Sequence, residues 1–189
     1  MFESSLMAGF MIGFAALLSC CIENKILSAL FFSIGLLYIR ITKCYLYTGQ
    51  IQNLKLKQTS LIELIAGLGG NIAGCGLALF IFIGLACGRP ELFKMREAAI
   101  TLKWSYPIYY YPFSGFCCGV LMTIATSKNT PLWISPLCVM AFILAGFHHC
   151  IADWFYMSST DSYLYWLLIA FGNFIGGLIG TVKLKFDKT

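Results

Sequence analysis

Two copies of one pattern, Gly70-Asn71-Ile72-Ala73-Gly74 and Gly172-Asn173-Phe174-Ile175-Gly176, each interrupt an apolar segment, and 102 residues separate Asn71 from Asn173. A second pair of polar interruptions precedes them: Thr48 lies 23 residues before Asn71, and His149 lies 24 before Asn173. Inside a bilayer every backbone polar group must find an internal partner, and polar side chains are costly unless they supply one or line a cavity. Polar breaks at matching positions in two halves of one chain are the sequence sign of a transporter or channel whose path runs between the repeats. The chain therefore reads as a duplicated membrane unit. It forms a single transmembrane domain over 1–189, with repeat one at about 6–87 and repeat two at about 103–182.

Composition agrees, since 59% of residues are hydrophobic and only 11% charged, against about 25% charged in an average soluble domain. A spanning helix needs about 20 mostly apolar residues. Six segments qualify: 6–22, 26–47, 61–87, 106–126, 131–157 and 163–182. The first lacks a basic leader and a small-residue cleavage site, so it reads as a retained helix rather than a signal peptide. No nucleotide motif is present, which leaves passive or ion-coupled movement. With six spans both termini share one side. Placing them inside puts eight Lys and Arg (Arg40, Lys43, Lys55, Lys57, Lys128, Lys183, Lys185, Lys188) in the cytoplasm, against five outside, the direction the positive-inside rule favours. The expectation is a multi-pass protein of the cell (inner) membrane with cytoplasmic termini. The net charge of +5 is scattered around span ends, so nucleic acid is excluded as a partner. The nine cysteines lack Cys-x-x-Cys spacing and read as reduced packing residues.

Four segments together resemble the formate/nitrite transporter family over nearly the whole chain. Leu46-Tyr47-Thr48-Gly49-Gln50 is similar to the family's Leu-Phe-Thr-Gly-Asn loop. The two Gly-Asn-x-x-Gly patterns fall in the third and sixth spans. Gly146-Phe147-His148-His149-Cys150-Ile151-Ala152-Asp153 is similar to Gly-Phe-Glu-His-Ser-Val-Ala-Asn, and Gly115-Phe116-Cys117-Cys118-Gly119 to Gly-Ile-x-x-Asn.

The resemblance implies an all-α, aquaporin-like fold of two inverted three-helix units with broken second and fifth helices. It also implies a homopentamer with one pore per subunit, no cofactor and no enzymatic activity. The implied cargo is a small monovalent anion, such as formate, nitrite, hydrosulfide or lactate, or its conjugate acid, together with a proton. Thr48 falls on the loop threonine, His149 on the central pore histidine and Lys103 on the outer-vestibule lysine. Phe32, Leu36, Leu46 and Phe142 fall on apolar constriction positions. Physics supports the set. An apolar constriction opposes a naked charge far more than a neutral acid, and histidine can give up a proton near neutral pH or orient an anion by hydrogen bonding. A lysine at the mouth would concentrate anions. Asn71 and Asn173 read better as supports for freed backbone groups at helix breaks.

The chain also departs from the family. Tyr45 and His148 stand where glutamates usually precede the two loop motifs, and Asp153 replaces an asparagine. These three, with the two asparagines, are the expected supports of the breaks. Gly119 replaces the fourth-helix asparagine, one polar pore group fewer. Arg40 and Lys43 lie unexpectedly in an apolar span, where either a pair with Asp153 or snorkelling to the cytoplasmic surface would accommodate them. Two other readings compete: a transport-inactive regulatory subunit, suggested by the missing acidic groups, and a metal- or haem-binding membrane protein using His148 and His149. Adjacent helical residues point about 100° apart, which disfavours one metal on that pair.

Overall fold

The structure, a computed structural model, describes residues 1–158 and 160–181. Among these, all regular structure is helical: α1 (Phe2–Cys20), α2 (Lys25–Thr42), α3 (Tyr47–Lys55), α4 (Leu61–Gly88), α5 (Glu91–Lys103), α6 (Tyr110–Thr126), α7 (Ile134–Leu144), α8 (Cys150–Trp154) and α9 (Thr160–Gly180). Val182, the expected last residue of the sixth span, and Lys183, Lys185 and Lys188 lie outside the described residues. Helices α1, α2, α4 and the Ser162–Gly180 part of α9 are long and apolar enough to cross a membrane. Helix α6 is shorter at 17 residues, and the fifth expected span is divided between α7 and α8.

Local chemistry sets the starts. The Asn24 side chain accepts the amides of Ile26 and Leu27 to open α2. Ser60 and Glu63 form a reciprocal capping box on α4, satisfying amides that have no partner in the first turn.

Both helix breaks are closed in the same way. Lys43 takes a left-handed conformation (φ 57°), and the next amide, of Cys44, donates back to the Ile39 carbonyl at 3.1 Å. Gly146 is left-handed (φ 72°), and the Phe147 amide donates to the Phe142 carbonyl at 2.8 Å. This six-to-one closure is the Schellman ending. Glycine takes the conformation freely, whereas at Lys43 it costs roughly 1–2 kcal/mol. Beyond each ending the chain runs extended for a few residues and re-enters as a short helix, α3 in the first half and α8 in the second.

The asparagines of the repeated pattern tie each re-entry down. Asn71 Oδ1 accepts the Tyr47 amide at 2.7 Å, while its Nδ2 donates to the Ser5 and Tyr45 carbonyls. Asn173 Oδ1 accepts the Cys150 amide at 2.8 Å, while its Nδ2 donates to the Gly115 and His148 carbonyls. The two halves are thus built on one bonding plan, in which Tyr45 corresponds to His148 and Leu46 to His149. In each half the asparagine helix crosses a partner at backbone contact. A Cβ added at Gly9 would lie 1.9 Å from the Asn71 carbonyl oxygen, and one at Gly119 would lie 2.3 Å from that of Asn173. Gly119 therefore occupies a helix crossing with no room for a side chain. The expectation that it marks a lost polar pore group is corrected.

Helix α5 was not foreseen. It fully buries only Leu92, with Met95, Ala99 and Ile100 partly buried along the same face, and it is too short and too charged to appear among apolar runs of bilayer length. Both described ends of the chain lie on one face of the bundle. The Tyr45 amide donates to Ser4 Oγ at 2.9 Å, and Lys55 Nζ donates to the Leu178 and Thr181 carbonyls.

Candidate anion passage

Phe32, Leu36 and Ile39 recur at the i, i+4, i+7 spacing that places side chains on one helix face, and all three are buried on α2. The Phe32 ring meets the edge of Phe142 at 6.1 Å between centroids. Phe142 in turn stacks on His149 at 5.8 Å.

His149 is the N-cap of α8, with its side chain accepting the Ala152 amide at 3.2 Å through Nδ1. A neutral imidazole has one donor and one acceptor nitrogen, so that bond puts the proton on Nε2. Nε2–H then donates to Thr48 Oγ1, 2.9 Å away. The two residues, 101 apart in sequence, are 1% and 2% exposed, which makes this the central polar contact between the halves.

Two cavities flank this contact. One, of about 730 Å³, is lined by Ile39, Arg40, Leu46 and a set of polar residues from α3 and the α6–α7 connection. The other, of about 330 Å³, is lined by Phe32, Phe142, His149, Lys103 and Asp153. Leu36 stands on α2 between Phe32 and Ile39, hence between the two cavities. The four residues expected at constrictions are all buried on this line, but Leu46 belongs to the larger cavity while Phe32 and Phe142 face the smaller.

Lys103 is held differently from expectation. Its Nζ lies 2.5 Å from Asp153 Oδ1, and Asp153 Oδ2 takes a second bond from His148 Nδ1 at 2.7 Å. The carboxylate is completely buried, so two nitrogen donors converge on one desolvated acceptor. Arg40 and Lys43 do not pair with Asp153, which lies on the other cavity. The Arg40 guanidinium bonds the carbonyls of Ala125, Ser127 and Thr130 and the hydroxyl of Ser135, at 2.8–3.1 Å. It thereby satisfies the C-terminal carbonyls of α6, where a cation is favoured. The expected Arg40–Asp153 or Lys43–Asp153 pair fails because α2 runs beside α7 at that depth, whereas Asp153 faces the end of α5.

The two positions that lack the family's glutamates are filled by ring side chains. Tyr45 bonds Thr59 at 3.2 Å and lays its ring against Gly67 of α4. His148 lies among Trp104, Tyr106, Tyr110 and Tyr111, with centroids 5.3–6.4 Å away. That aromatic surround was missed, as was Arg96, which donates to the Phe155 and Met157 carbonyls at the end of α8. Trp104 and Arg96 belong to the unforeseen α5 and its end, and nothing in their spacing pointed to the site. As for a shared metal, the Nδ1 atoms of His148 and His149 are already engaged, by Asp153 and by the Ala152 amide.

The family model described as formate/nitrite transporter matches residues 1–184. The chain belongs to the formate/nitrite transporter family. It is a multi-pass membrane protein of a family of transporters. No curated protein sequence matches it. Two solved structures share its fold. An "FNT family ion channel" is 21% identical, with a TM-score of 0.74, 94% of this chain and 85% of that one being covered. A "pentameric formate channel with formate bound" is 23% identical, with a TM-score of 0.70, covering 95% and 88%.

Proposed function

We propose that this formate/nitrite transporter family member passes small monovalent anions of the formate and nitrite type across the cell membrane, with proton linkage, through the line between its two cavities. The observation that carries this reading is the Thr48–His149 contact, at 2.9 Å, between cavities separated by Leu36, Phe32 and Phe142. Its donor chemistry supports hydrogen bonding rather than proton donation by His149, because Nδ1 is engaged as an acceptor. Proton and anion then travel together, the weak acid forming from solvent protons in the cavity. That entry is favoured because a neutral molecule faces a much lower barrier at an apolar constriction than a charge does. Thr48 accepts from His149 and keeps its own hydroxyl proton to offer an anion.

The six-span arrangement with inverted repeats and the assembly as a homopentamer with one passage per subunit belong to the same reading. The shared fold and the pentameric formate channel support them. Cytoplasmic termini are supported by the face that holds Ser4 and Thr181, which also carries Arg40, Lys43 and Lys55. The inner membrane of the cell is the location that fits this topology.

The deciding experiment is stopped-flow flux in proteoliposomes across formate, nitrite, hydrosulfide, lactate and urea. Saturable anion flux that rises as external pH falls is the expected result. Flux of urea alone, or none, would overturn the reading and favour an inactive regulatory subunit.

A further inference from the structure

The chain has two histidines, adjacent in sequence, and the fold uses them in opposite ways. Both ring nitrogens of His149 are engaged, Nδ1 by the Ala152 amide and Nε2 by Thr48. His148 gives Nδ1–H to Asp153 Oδ2 at 2.7 Å, and its Nε2 has no hydrogen-bond partner among the described residues. Every fully buried side-chain nitrogen or oxygen among those residues does have one. Nε2 therefore keeps an open side although His148 is only 1% exposed, and the space that His148 lines is the smaller cavity, of about 330 Å³.

Asp153 fixes that arrangement, since its completely buried carboxylate also holds Lys103 at 2.5 Å. A buried carboxylate on Nδ1–H keeps an imidazole in one tautomer and stabilises the imidazolium when Nε2 takes up a proton. The rings around His148 are Trp104 and the tyrosines leading into α6, Tyr106, Tyr110 and Tyr111, with Tyr165 of α9 stacked on Tyr111. Tyr156 beyond α8, Cys20 at the end of α1 and Lys25 at the start of α2 line the same cavity. Of all these side-chain types only an imidazole ordinarily exchanges its proton between about pH 5 and 8.

We infer that His148 hands the proton to the anion in the smaller cavity, ahead of the constriction. The inference rests on the proposed proton-linked passage and names the residue that supplies its chemistry. In the loaded state Nδ1–H bonds Asp153 and Nε2–H faces the cavity. The Nε2–H bond breaks, its electron pair staying on Nε2, as an O–H or S–H bond forms on an anion of the formate, nitrite or hydrosulfide type. The imidazolium becomes a neutral imidazole that keeps Nδ1–H on Asp153, and the anion becomes a neutral acid that meets a lower barrier at Phe32 and Phe142. A solvent proton arriving through the cavity reloads Nε2, and for cargo leaving by this cavity the step runs in reverse. The two departures from the family's pattern, His148 for glutamate and Asp153 for asparagine, thus form one functional pair.

The test is the pH profile of formate flux in proteoliposomes for the wild type and His148→Asn, whose amide keeps a donor at the Nδ1 position but has no proton to give. A positioned proton donor contributes about 10²–10⁴-fold, part of which solvent protons replace, so His148→Asn is expected to lower formate flux at neutral external pH by about tenfold or more. The shape of the profile separates this from a merely structural loss. Once Nε2 is loaded, the wild-type flux levels off as external pH falls further. His148→Asn depends on acid formed in water, so its flux keeps rising and the gap between the two narrows. Equal fluxes, or a constant ratio of the two across pH, would overturn the inference.

A second measurement needs no variant and serves if His148→Asn does not fold. Diethyl pyrocarbonate acylates an imidazole nitrogen through its lone pair, and fragment-ion mass spectrometry assigns the product to His148 or His149. His148 is expected to react several-fold faster than His149, and sodium formate to slow that reaction relative to sodium gluconate at equal ionic strength. Faster reaction at His149, or no protection by formate, would count decisively against the step. Wild-type flux with a constant ratio across pH removes the step and leaves the passage, whereas vesicles without wild-type anion flux remove the passage and the step together.

Discussion

Replacing His149 separates its two bonds. Nδ1 caps α8, and an N-cap is worth about 1 kcal/mol. Nε2–H points at Thr48 across the passage at 2.9 Å. A hydrogen bond to a charged group contributes about 1.5–3 kcal/mol, so if that donor turns to a passing anion, its removal lowers flux by about 10- to 150-fold. His149→Phe removes both bonds while keeping a ring to stack on Phe142. His149→Asn keeps the cap, since asparagine is among the best N-cap residues, but its shorter amide falls back from Thr48. Stopped-flow flux in proteoliposomes, paired with thermal melting in detergent, distinguishes the effects. His149→Phe should lose most of the flux and melt slightly lower. His149→Asn should melt like the wild type, still lose flux, and retain a flux that rises as pH falls, because the proton comes from solvent. Wild-type flux in folded His149→Phe would refute the role assigned to the imidazole. Loss of the pH response in His149→Asn would show that the imidazole itself supplies the proton.

Three other outcomes follow from the geometry. Asn173→Leu strands one buried amide and loosens two carbonyls, each unmade bond costing about 1–3 kcal/mol; it should lower the melting temperature sharply, as should Asn71→Leu, and a shift of only a degree or two for either would contradict the shared bonding plan. Breaking a buried pair from one side costs about 3–5 kcal/mol, so Lys103→Met should be strongly destabilising and Lys103→Met/Asp153→Asn markedly less so; strict additivity in that double-mutant cycle by chemical or thermal unfolding would show that the contact carries no coupling. In mild detergent the chain should run as a pentamer by native mass spectrometry, and a monodisperse monomer or trimer would count against that assembly.

Several features were determined by the sequence alone because they depend on short-range rules. Apolar runs of bilayer length located the four helices long enough to cross a membrane, α1, α2, α4 and most of α9, and the paired Gly-Asn patterns pointed to the two asparagines that share one bonding plan. The motifs at Thr48 and His149 led to the family and to the residues that meet at the centre. Such signals survive because a membrane permits polar residues in few places, so each one stands out. Tertiary structure alone decided which charges meet. Arg40 and Asp153 look like partners in a list of intramembrane charges, yet helix packing sends one to the carbonyls of α6 and the other to Lys103. Nothing along the chain distinguishes a guanidinium that finds carbonyls from one that finds a carboxylate. Gly119 reads as a lost pore group until the crossing with α9 shows that no side chain fits. Helix α5 carries Leu92, Met95, Ala99 and Ile100 along one face but is too short and too charged to read as a span, so only the fold brings Trp104 at its end together with Tyr106, Tyr110 and Tyr111 around His148. Even the proton on His149 was decided by folding, because only the α8 amide that binds Nδ1 leaves Nε2 as the donor.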